Sequence, residues 1–151
     1  MCAADRAPAA IRLTTGYLPR WRIACNKIGK DESGKGNIEY SNVSSDRVYG
    51  VVYEISPSDQ RILDEAESLG VGYDAVNFTI TTPSGDMRAM TYVARLKDDA
   101  LRPFAWYRAL LIGGAIENQL PRDYIDCLRQ IKPCEDPDQQ RHARFMRLLA
   151  G

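Results

Sequence analysis

The sequence has few of the residues from which proteins usually build a metal site. It has one histidine, His142, and four cysteines that form no CxxC pair: Cys2, Cys25, Cys127 and Cys134. Zinc sites use cysteine or histidine pairs at short spacing, so the sequence predicts no metal site. It also argues against a Cys–His nucleophile, because His142 lies in a charged segment and would have to fold back onto a cysteine.

The chain also lacks net charge and long apolar runs. Its 20 lysines and arginines balance 20 aspartates and glutamates, which argues against nucleic acid or an anionic membrane as partner. No apolar run approaches the roughly 20 residues of a spanning helix, and no signal-peptide core opens the chain. We therefore expect a soluble, cytoplasmic protein with reduced cysteines, in which residues 1–151 form a single domain large enough to bury a core.

What the sequence does contain is a series of strand patterns followed by helix patterns. Alternating or β-branched runs predict strands at 11–17, 21–27, 38–42, 48–55, 73–82 and 87–96, the last two forming a hairpin. Gly16 and Pro19 are predicted to mark the turn between the first two strands. One helix is predicted between the fourth and fifth strands. Apolar periodicity predicts three more helices after the last strand, at 104–116, 122–131 and 137–150. This order predicts an α+β fold, either a small mixed β-barrel or a strongly twisted sheet with flanking helices.

The first and last of the three helices in the C-terminal half differ in their apolar patterns. The helix at 104–116 is apolar nearly all round and is predicted to be buried, with Gly113-Gly114 allowing close backbone approach. The last helix has a predicted apolar face made of Phe145, Met146, Leu148 and Leu149. Both helices are therefore expected to pack against other elements.

Residues 28–37 are the most glycine-rich stretch of the chain. Gly29 followed after four residues by Gly34-Lys35 imitates the opening of a phosphate-binding P-loop. The imitation fails because Gly36 stands where a magnesium-binding hydroxyl is required. We interpret the stretch as a mobile loop near the mouth of a pocket.

Residues 48–70 join a strand to a capped helix. The run VYGVVYEI has the composition of a strand buried on both faces. Ser56 is placed to cap the helix, Pro57 fits its first position, and Asp59 can close a capping box. The helix is predicted to end near Gly70.

Two glutamates on this helix are candidates for acid–base chemistry. The apolar stripe of the helix consists of Ile62, Leu63, Ala66 and Leu69. Glu67 lies on one flank of that stripe and Glu65 on the other, while Asp64 points away, so geometry alone does not choose between them. Glu67 is nearer to the negative end of the helix dipole and to an apolar wall, and both effects favour the protonated carboxyl that a general acid/base needs. The alternative is that Glu67 is an ordinary solvated acid.

Six segments in a fixed order carry a family resemblance. They are a VYGVVY strand, a helix ending LDEAES, a tyrosine after it, a hairpin tyrosine, a PxxxYxxxL helix and the run GAIENQLPxxYxxxL, at 48–53, 63–68, Tyr73, Tyr92, 103–111 and 114–128. Together they resemble the γ-glutamylcyclotransferase family over residues 13–131. The family writes the end of the first helix LDxxEG, so Ser68 stands in place of its glycine.

The resemblance implies a fold, a reaction and a set of residues. It implies a small β-barrel with flanking helices around a cavity that holds the γ-glutamyl group of a small-molecule substrate. Glu67 falls on the catalytic acid, Tyr73, Tyr92 and Tyr107 on tyrosines that line the cavity, and Asn26 lies near it. The implied reaction converts γ-glutamyl amino acids or amides to 5-oxoproline and a free amine, and needs neither metal nor cofactor.

The start of the chain departs from the family. Members open with a strand and a YxxYGSNM loop that holds the substrate, whereas this chain starts at Met1-Cys2. Either the native start lies upstream or the loop is absent. Its absence would expose a strand edge and favour a homodimer. It would also favour the alternative function, a catalytically impaired binding or scaffold protein that keeps the barrel.

Overall fold

The computed structural model describes residues 7–150 and confirms the predicted α+β fold. The strands are β1 (Ile11–Pro19), β2 (Trp21–Ile28), β3 (Gly34–Tyr40), β4 (Arg47–Glu54), β5 (Tyr73–Thr82) and β6 (Gly85–Ala94). The helices are α1 (Pro57–Ala66), α2 (Ala105–Glu117), α3 (Arg122–Gln130) and α4 (Gln139–Ala150). As predicted, α1 is inserted between strands and the other three helices follow the last strand. None of the helices in this range combines the length and the apolarity that crossing a bilayer requires.

The chain forms two compact units, each made of two separate pieces. The first unit takes the chain up to Ala24 together with Asn37–Lys97, and the second takes Cys25–Gly36 together with the chain from Asp98 onward. The assignment of all 151 residues to a single domain stays a prediction.

The first unit is built on a four-stranded antiparallel sheet. Its strand order is β4-β1-β5-β6, while β2 and β3 form a separate two-stranded sheet. The four-stranded sheet is twisted but is not closed into a barrel, so the twisted-sheet alternative describes it. The predicted hairpin is confirmed, because β5 pairs with β6 from Tyr73 opposite Ala94 to Thr82 opposite Gly85.

Gly16 has a different role from the one predicted. It lies inside β1, where a Cβ atom would come 2.9 Å from the carbonyl oxygen of Thr81 on β5. Glycine therefore permits the close approach of these two strands. The turn after β1 is made instead by Arg20, whose φ is 67° and whose backbone N–H donates to the Asp46 carbonyl oxygen at 2.8 Å.

β4 is not buried on both faces, as its composition had predicted. It is an edge strand of the sheet, none of its residues is fully buried, and Tyr53 is 39% exposed. An edge position leaves one side of a strand open to solvent whatever its β-branched content. The prediction failed because composition reports preference for a strand and not the place of that strand in the sheet.

Only the middle of the glycine-rich stretch is a loop. The strand β3 begins at Gly34, so the connection after β2 is short, and Ser33 and Asn37 are among the buried polar residues. A Cβ atom at Gly34 would lie 2.0 Å from the Cys25 carbonyl oxygen. Gly34 therefore allows β3 to approach β2, and residues 34–37 belong to a strand and not to the predicted loop.

In the second unit, α2 packs against α3 and α4 but is less buried than predicted. Trp106 and Ala115 are buried, whereas Ile116 is 50% exposed. A Cβ atom at Gly114 would meet no described atom within 4 Å, so the predicted close approach does not occur at that glycine. The near-continuous apolar pattern thus overstates how much of α2 is covered.

Only part of the predicted apolar face of α4 packs against other residues. Phe145 stacks on Trp106 with ring centroids 4.0 Å apart, and Leu149 lies against Gly113. Met146 and Leu148 are exposed, contrary to the prediction.

A buried carboxylate fixes the start of α4. Asp136 is 1% exposed, and its oxygens accept hydrogen bonds from the Trp106 indole at 2.8 Å and from two nitrogens of Arg141 at 2.7 and 2.5 Å. The side-chain hydrogen bonds from Arg141, and then the one from Trp106, hold the pKa of Asp136 well below its usual range. Asp136 therefore remains ionised and ties α2 to α4.

Candidate active site

The helix that carries Glu67 begins at the predicted position, with Ser56 as its cap. The Ser56 hydroxyl accepts a hydrogen bond from the Asp59 backbone N–H at 3.1 Å, and Pro57 occupies the first helical position. The helix ends earlier than predicted, at Ala66 instead of near Gly70, and Glu67 is its C-cap residue. Glu67 therefore stands at the end of α1 and not inside it.

A Schellman motif produces this early end. The N–H of Ser68 donates to the Glu65 carbonyl oxygen at 3.1 Å, and the N–H of Leu69 donates to that of Asp64 at 2.9 Å. These are the two bonds of the motif, which requires a left-handed residue directly after the C-cap residue. Ser68 supplies it with φ 53°. The serine thus occupies the position where the resembled family has glycine.

The side chain of Asp64 contacts Tyr92 on β6. The Tyr92 hydroxyl donates to Asp64 Oδ1 at 2.5 Å, and the Tyr92 ring lies beside the buried Tyr73 ring with centroids 6.2 Å apart. Asp64 was predicted to point away from this face of the helix, and that prediction is wrong. The structure therefore brings a second carboxylate into the group around Glu67.

Tyr92 is partly buried and lies beside negative charge. Burial raises the pKa of its phenol well above the ordinary value, and the hydrogen bond to Asp64 and the charges of Asp64 and Glu67 raise it further. Glu67 is thus close enough for its charge to act on the same phenol. Two carboxylates beside a phenol that is protonated near neutral pH can bind a positive group and exchange protons with it.

A compact turn joins Glu67 to the tyrosines. The Gly70 N–H donates to the Tyr73 carbonyl oxygen at 2.8 Å, and the Arg95 guanidinium donates to the Gly70 carbonyl oxygen. Arg95 also pairs with Asp74 at 3.4 Å. This network fixes the start of β5, and with it Tyr73, relative to the end of α1.

Asn26 and Tyr107 lie in the second unit and have partners there. The amide nitrogen of the buried Asn26 donates to Asp99 Oδ1 at 2.6 Å. The Tyr107 hydroxyl accepts a hydrogen bond from the Gly36 backbone N–H at 2.9 Å. The structure thus brings Glu67, Tyr73 and Tyr92 together in one unit, while the assignment of Asn26 and Tyr107 to the same site stays a prediction.

The only one of the three described cysteines that is buried is poorly suited to nucleophilic chemistry. Burial raises the pKa of the Cys25 thiol to about 11, an effect that the positive charge of Lys35 opposes. A thiol of this kind is hardly ionised near neutral pH and is a weak nucleophile. Cys127 and Cys134 are also free thiols, and Cys2 lies outside the described residues. Within residues 7–150, no three histidine, cysteine, aspartate or glutamate side chains are grouped as metal ligands.

Asp64 is the functional candidate that the sequence reasoning missed. It precedes Glu67 by three residues, the spacing that places two side chains on neighbouring positions of a helix surface. That spacing could have paired the two carboxylates. The position of the apolar stripe instead led to the prediction that Asp64 points away from the packed face of the helix.

Sequence comparison connects this region with a known family. A model of the AIG2-like family matches residues 47–128, which is more than half of the chain. The matched range contains Glu67, Tyr73, Tyr92 and Tyr107 but not Asn26.

Individual relatives and structures agree with that match. A γ-glutamylcyclotransferase of Mus musculus is 32% identical over 92 residues, covering 60% of this chain and 48% of that protein. One of Bos taurus is 29% identical over 132 residues, covering 85% of this chain and 70% of that protein. The chain thus spans about half the length of the mouse relative. A solved structure of a protein named γ-glutamyl cyclotransferase has a TM-score of 0.83 at 21% identity, over 95% of this chain and 89% of that chain, which establishes likeness of fold.

Proposed function

This chain belongs to the AIG2-like family and is related to the γ-glutamylcyclotransferases, and on that premise we propose that it converts γ-glutamyl amino acids or amides to 5-oxoproline. The second product is the free amine or amino acid. The observation that carries the proposal is the position of Glu67, at the end of α1 and with its charge acting on the phenol of Tyr92, which itself is bonded to Asp64.

The reaction is an intramolecular aminolysis. The α-nitrogen of the γ-glutamyl group forms a bond to its own γ-carbonyl carbon, and the bond from that carbon to the leaving nitrogen breaks. The α-ammonium must lose a proton before its nitrogen can attack, and the leaving nitrogen must gain one. One carboxyl group that first accepts and then returns the proton can serve both steps.

Glu67 is the group to which we assign this proton transfer. The helix dipole directs partial negative charge to the C-cap position, and a neighbouring carboxylate, Asp64, adds to it. We assign the acceptor role to Glu67 on its position at the end of α1 and on the family resemblance. Tyr73 and Tyr92 form the adjoining aromatic wall, and we assign Tyr107 and Asn26 to substrate binding on the family resemblance.

The reaction requires little from the protein beyond positioning of the substrate. Nucleophile and electrophile belong to one molecule, so a site that bends the γ-glutamyl chain towards a five-membered ring and excludes water supplies most of the acceleration. Proton transfer by a carboxyl group is sufficient for the remainder. We therefore propose that the reaction uses neither metal nor cofactor.

Turnover of γ-glutamyl-alanine by the purified protein tests this proposal. We expect release of 5-oxoproline and alanine, measured by chromatography. Glu67→Gln should retain the fold and lower kcat by about a hundredfold to ten-thousandfold, because the amide cannot accept the proton. Glu65→Gln is the matched control, since Glu65 is an exposed glutamate on the same helix, and should keep its activity.

The results also separate the enzyme from the alternative function. Retained turnover in Glu67→Gln would contradict the role assigned to that residue. Binding of γ-glutamyl-alanine in calorimetry without any product would identify a binding protein that has lost catalysis. The absence of both binding and product would identify a scaffold.

A further inference from the structure

We infer that Asp64 is a positioning residue that holds the proton of the Tyr92 hydroxyl and thereby turns the Tyr92 oxygen into an acceptor for the substrate's α-ammonium group. The inference rests on the proposed function, which supplies the ammonium group. It assigns to Asp64 an indirect role through Tyr92, distinct from the proton transfer assigned to Glu67.

The hydrogen bond between the two side chains fixes the direction of one proton. A phenol has a single O–H proton and two acceptor positions, whereas an ionised carboxylate only accepts. The distance of 2.5 Å from Tyr92 Oη to Asp64 Oδ1 is that of a strong bond to a charged acceptor. While the proton is given to Asp64, the remaining positions on the Tyr92 oxygen can only accept.

The surrounding charges agree with this polarity. Burial, the hydrogen bond to Asp64 and the charges of Asp64 and Glu67 all raise the pKa of the Tyr92 phenol and so keep its proton in place. Asp64 lies in the last turn of α1 and Glu67 is its C-cap residue, so both are at the end where the helix dipole is also negative. A group that develops negative charge, such as the oxyanion of the reaction, is disfavoured beside these groups. A positively charged ammonium group is favoured.

The neighbouring aromatic ring restricts how Tyr92 can respond. Tyr73 is buried and lies edge-on to Tyr92, with an angle of 63° between the ring planes. Tyr92 is directly opposite Ala75 in the β5–β6 ladder, so its Cα position is set by the sheet. Ring packing and sheet register hold the phenol in place, and Asp64 determines where its proton points.

This arrangement gives the ammonium group a defined route to reaction. The Tyr92 oxygen accepts one N–H of the ammonium group and holds the nitrogen near the end of α1. A second N–H bond breaks when its proton passes to Glu67, where an O–H bond forms. The α-nitrogen then carries the lone pair that attacks the γ-carbonyl carbon.

A spectroscopic titration tests the Asp64–Tyr92 link without reference to activity. The chain has eight tyrosines, and tyrosinate formation is counted by ultraviolet absorbance at about one pH unit above the ordinary tyrosine pKa of about 10. Burial and the charge of Glu67 still raise the pKa of Tyr92 in Asp64→Ala, so we expect the count of ionised tyrosines to rise above the wild-type count by a fraction of one tyrosine. The double variant Asp64→Ala/Tyr92→Phe should return to the wild-type number. An unchanged number in Asp64→Ala would overturn the inference.

A pair of ligands tests the consequence for the substrate. Glutaryl-alanine is γ-glutamyl-alanine without its α-ammonium group, so the ratio of its inhibition constant to the KM of γ-glutamyl-alanine measures recognition of that group. Loss of a hydrogen bond to a charged group corresponds to about a tenfold to hundredfold change. We expect this ratio to fall by about that factor in Asp64→Ala and in Tyr92→Phe.

The double variant identifies Asp64 as acting through Tyr92. If it does, Asp64→Ala/Tyr92→Phe has the same ratio as Tyr92→Phe alone. A further fall in the double variant would show that Asp64 acts by another route and would overturn the inference. Asp64→Asn keeps an acceptor oxygen in place and should lie between the wild type and Asp64→Ala. Glu65→Ala controls for removal of an exposed acid from the same helix and should leave the ratio unchanged.

The failure of the inference can be told from the failure of the proposed function. If the wild type turns over γ-glutamyl-alanine but Asp64→Ala keeps the wild-type ratio, the inference is wrong and the proposed function stands. If the wild type neither binds nor converts either compound, the proposed function is wrong and the inference is lost with it.

Discussion

Replacing Ser68 with glycine should stabilise the protein. Ser68 is the left-handed residue of the Schellman motif that ends α1, with φ 53°. The left-handed conformation costs a residue with a Cβ atom about 1–2 kcal/mol. Glycine removes that cost but loses about 0.5–1 kcal/mol more backbone entropy on folding. The difference predicts that Ser68→Gly raises the free energy of unfolding by about 1 kcal/mol, which for a chain of this length raises Tm by about 2–4 °C.

Ser68→Ala is the matched variant for this measurement. It removes the hydroxyl, as glycine does, but keeps the Cβ atom and therefore keeps the conformational cost. Unfolding of both variants is followed by urea titration and by thermal melting. We expect Ser68→Gly to be more stable than Ser68→Ala by about 1 kcal/mol. Equal stability of the two variants would refute the assignment of a strained left-handed residue at this position.

Three further predictions concern the second unit. Asp136→Asn should lower the free energy of unfolding by about 2–3 kcal/mol, because hydrogen bonds to a buried charge are lost. The depressed pKa of Asp136 also means that its stabilisation is fully present above the unfolded-state pKa of about 3.9 and is lost as the pH falls further. Urea midpoints should therefore fall more steeply with decreasing pH in the wild type than in the variant, which keeps the lowered pKa of Asp31. An aromatic disulfide reagent near neutral pH should label the exposed Cys127 rapidly and Cys25 only on unfolding, and Cys127→Ser should lower the amplitude of the rapid phase by one thiol. Gly114→Ala should stabilise α2 by about 0.5–1 kcal/mol in urea titration, because the added methyl group meets no described atom within 4 Å.

The parts of the fold that could be predicted are those set by local chemistry. The cap at Ser56 follows from a serine–proline start, and the β5–β6 hairpin follows from alternation about a short turn. These features need only neighbouring residues. Burial in tertiary structure does not follow in this way, since the strand composition of β4 does not reveal its edge position and the apolar pattern of α4 does not reveal that Met146 and Leu148 are exposed.

In the candidate site, too, the features set by local chemistry could be predicted and the tertiary contacts could not. Helix phase and dipole selected Glu67, and the structure places it at the negative end of α1. The pairing of Asp64 with Tyr92 was not accessible, because it joins side chains 28 residues apart in sequence. Such a contact depends on how α1 packs on the hairpin, and periodicity within the helix carries no information about the opposing element.

The early end of α1 explains how one contiguous stretch can hold Glu67, Tyr73 and Tyr92 together. Had the helix continued to Gly70, the chain would have only two residues in which to reverse before β5. The left-handed turn at Ser68 reverses it earlier, and the bond from the Gly70 N–H to the Tyr73 carbonyl oxygen closes the return. The β5–β6 hairpin then brings Tyr92 back beside Tyr73, within reach of Asp64. The arrangement of these side chains therefore depends on local turns, which are encoded in sequence, and on the pairing of β5 with β6.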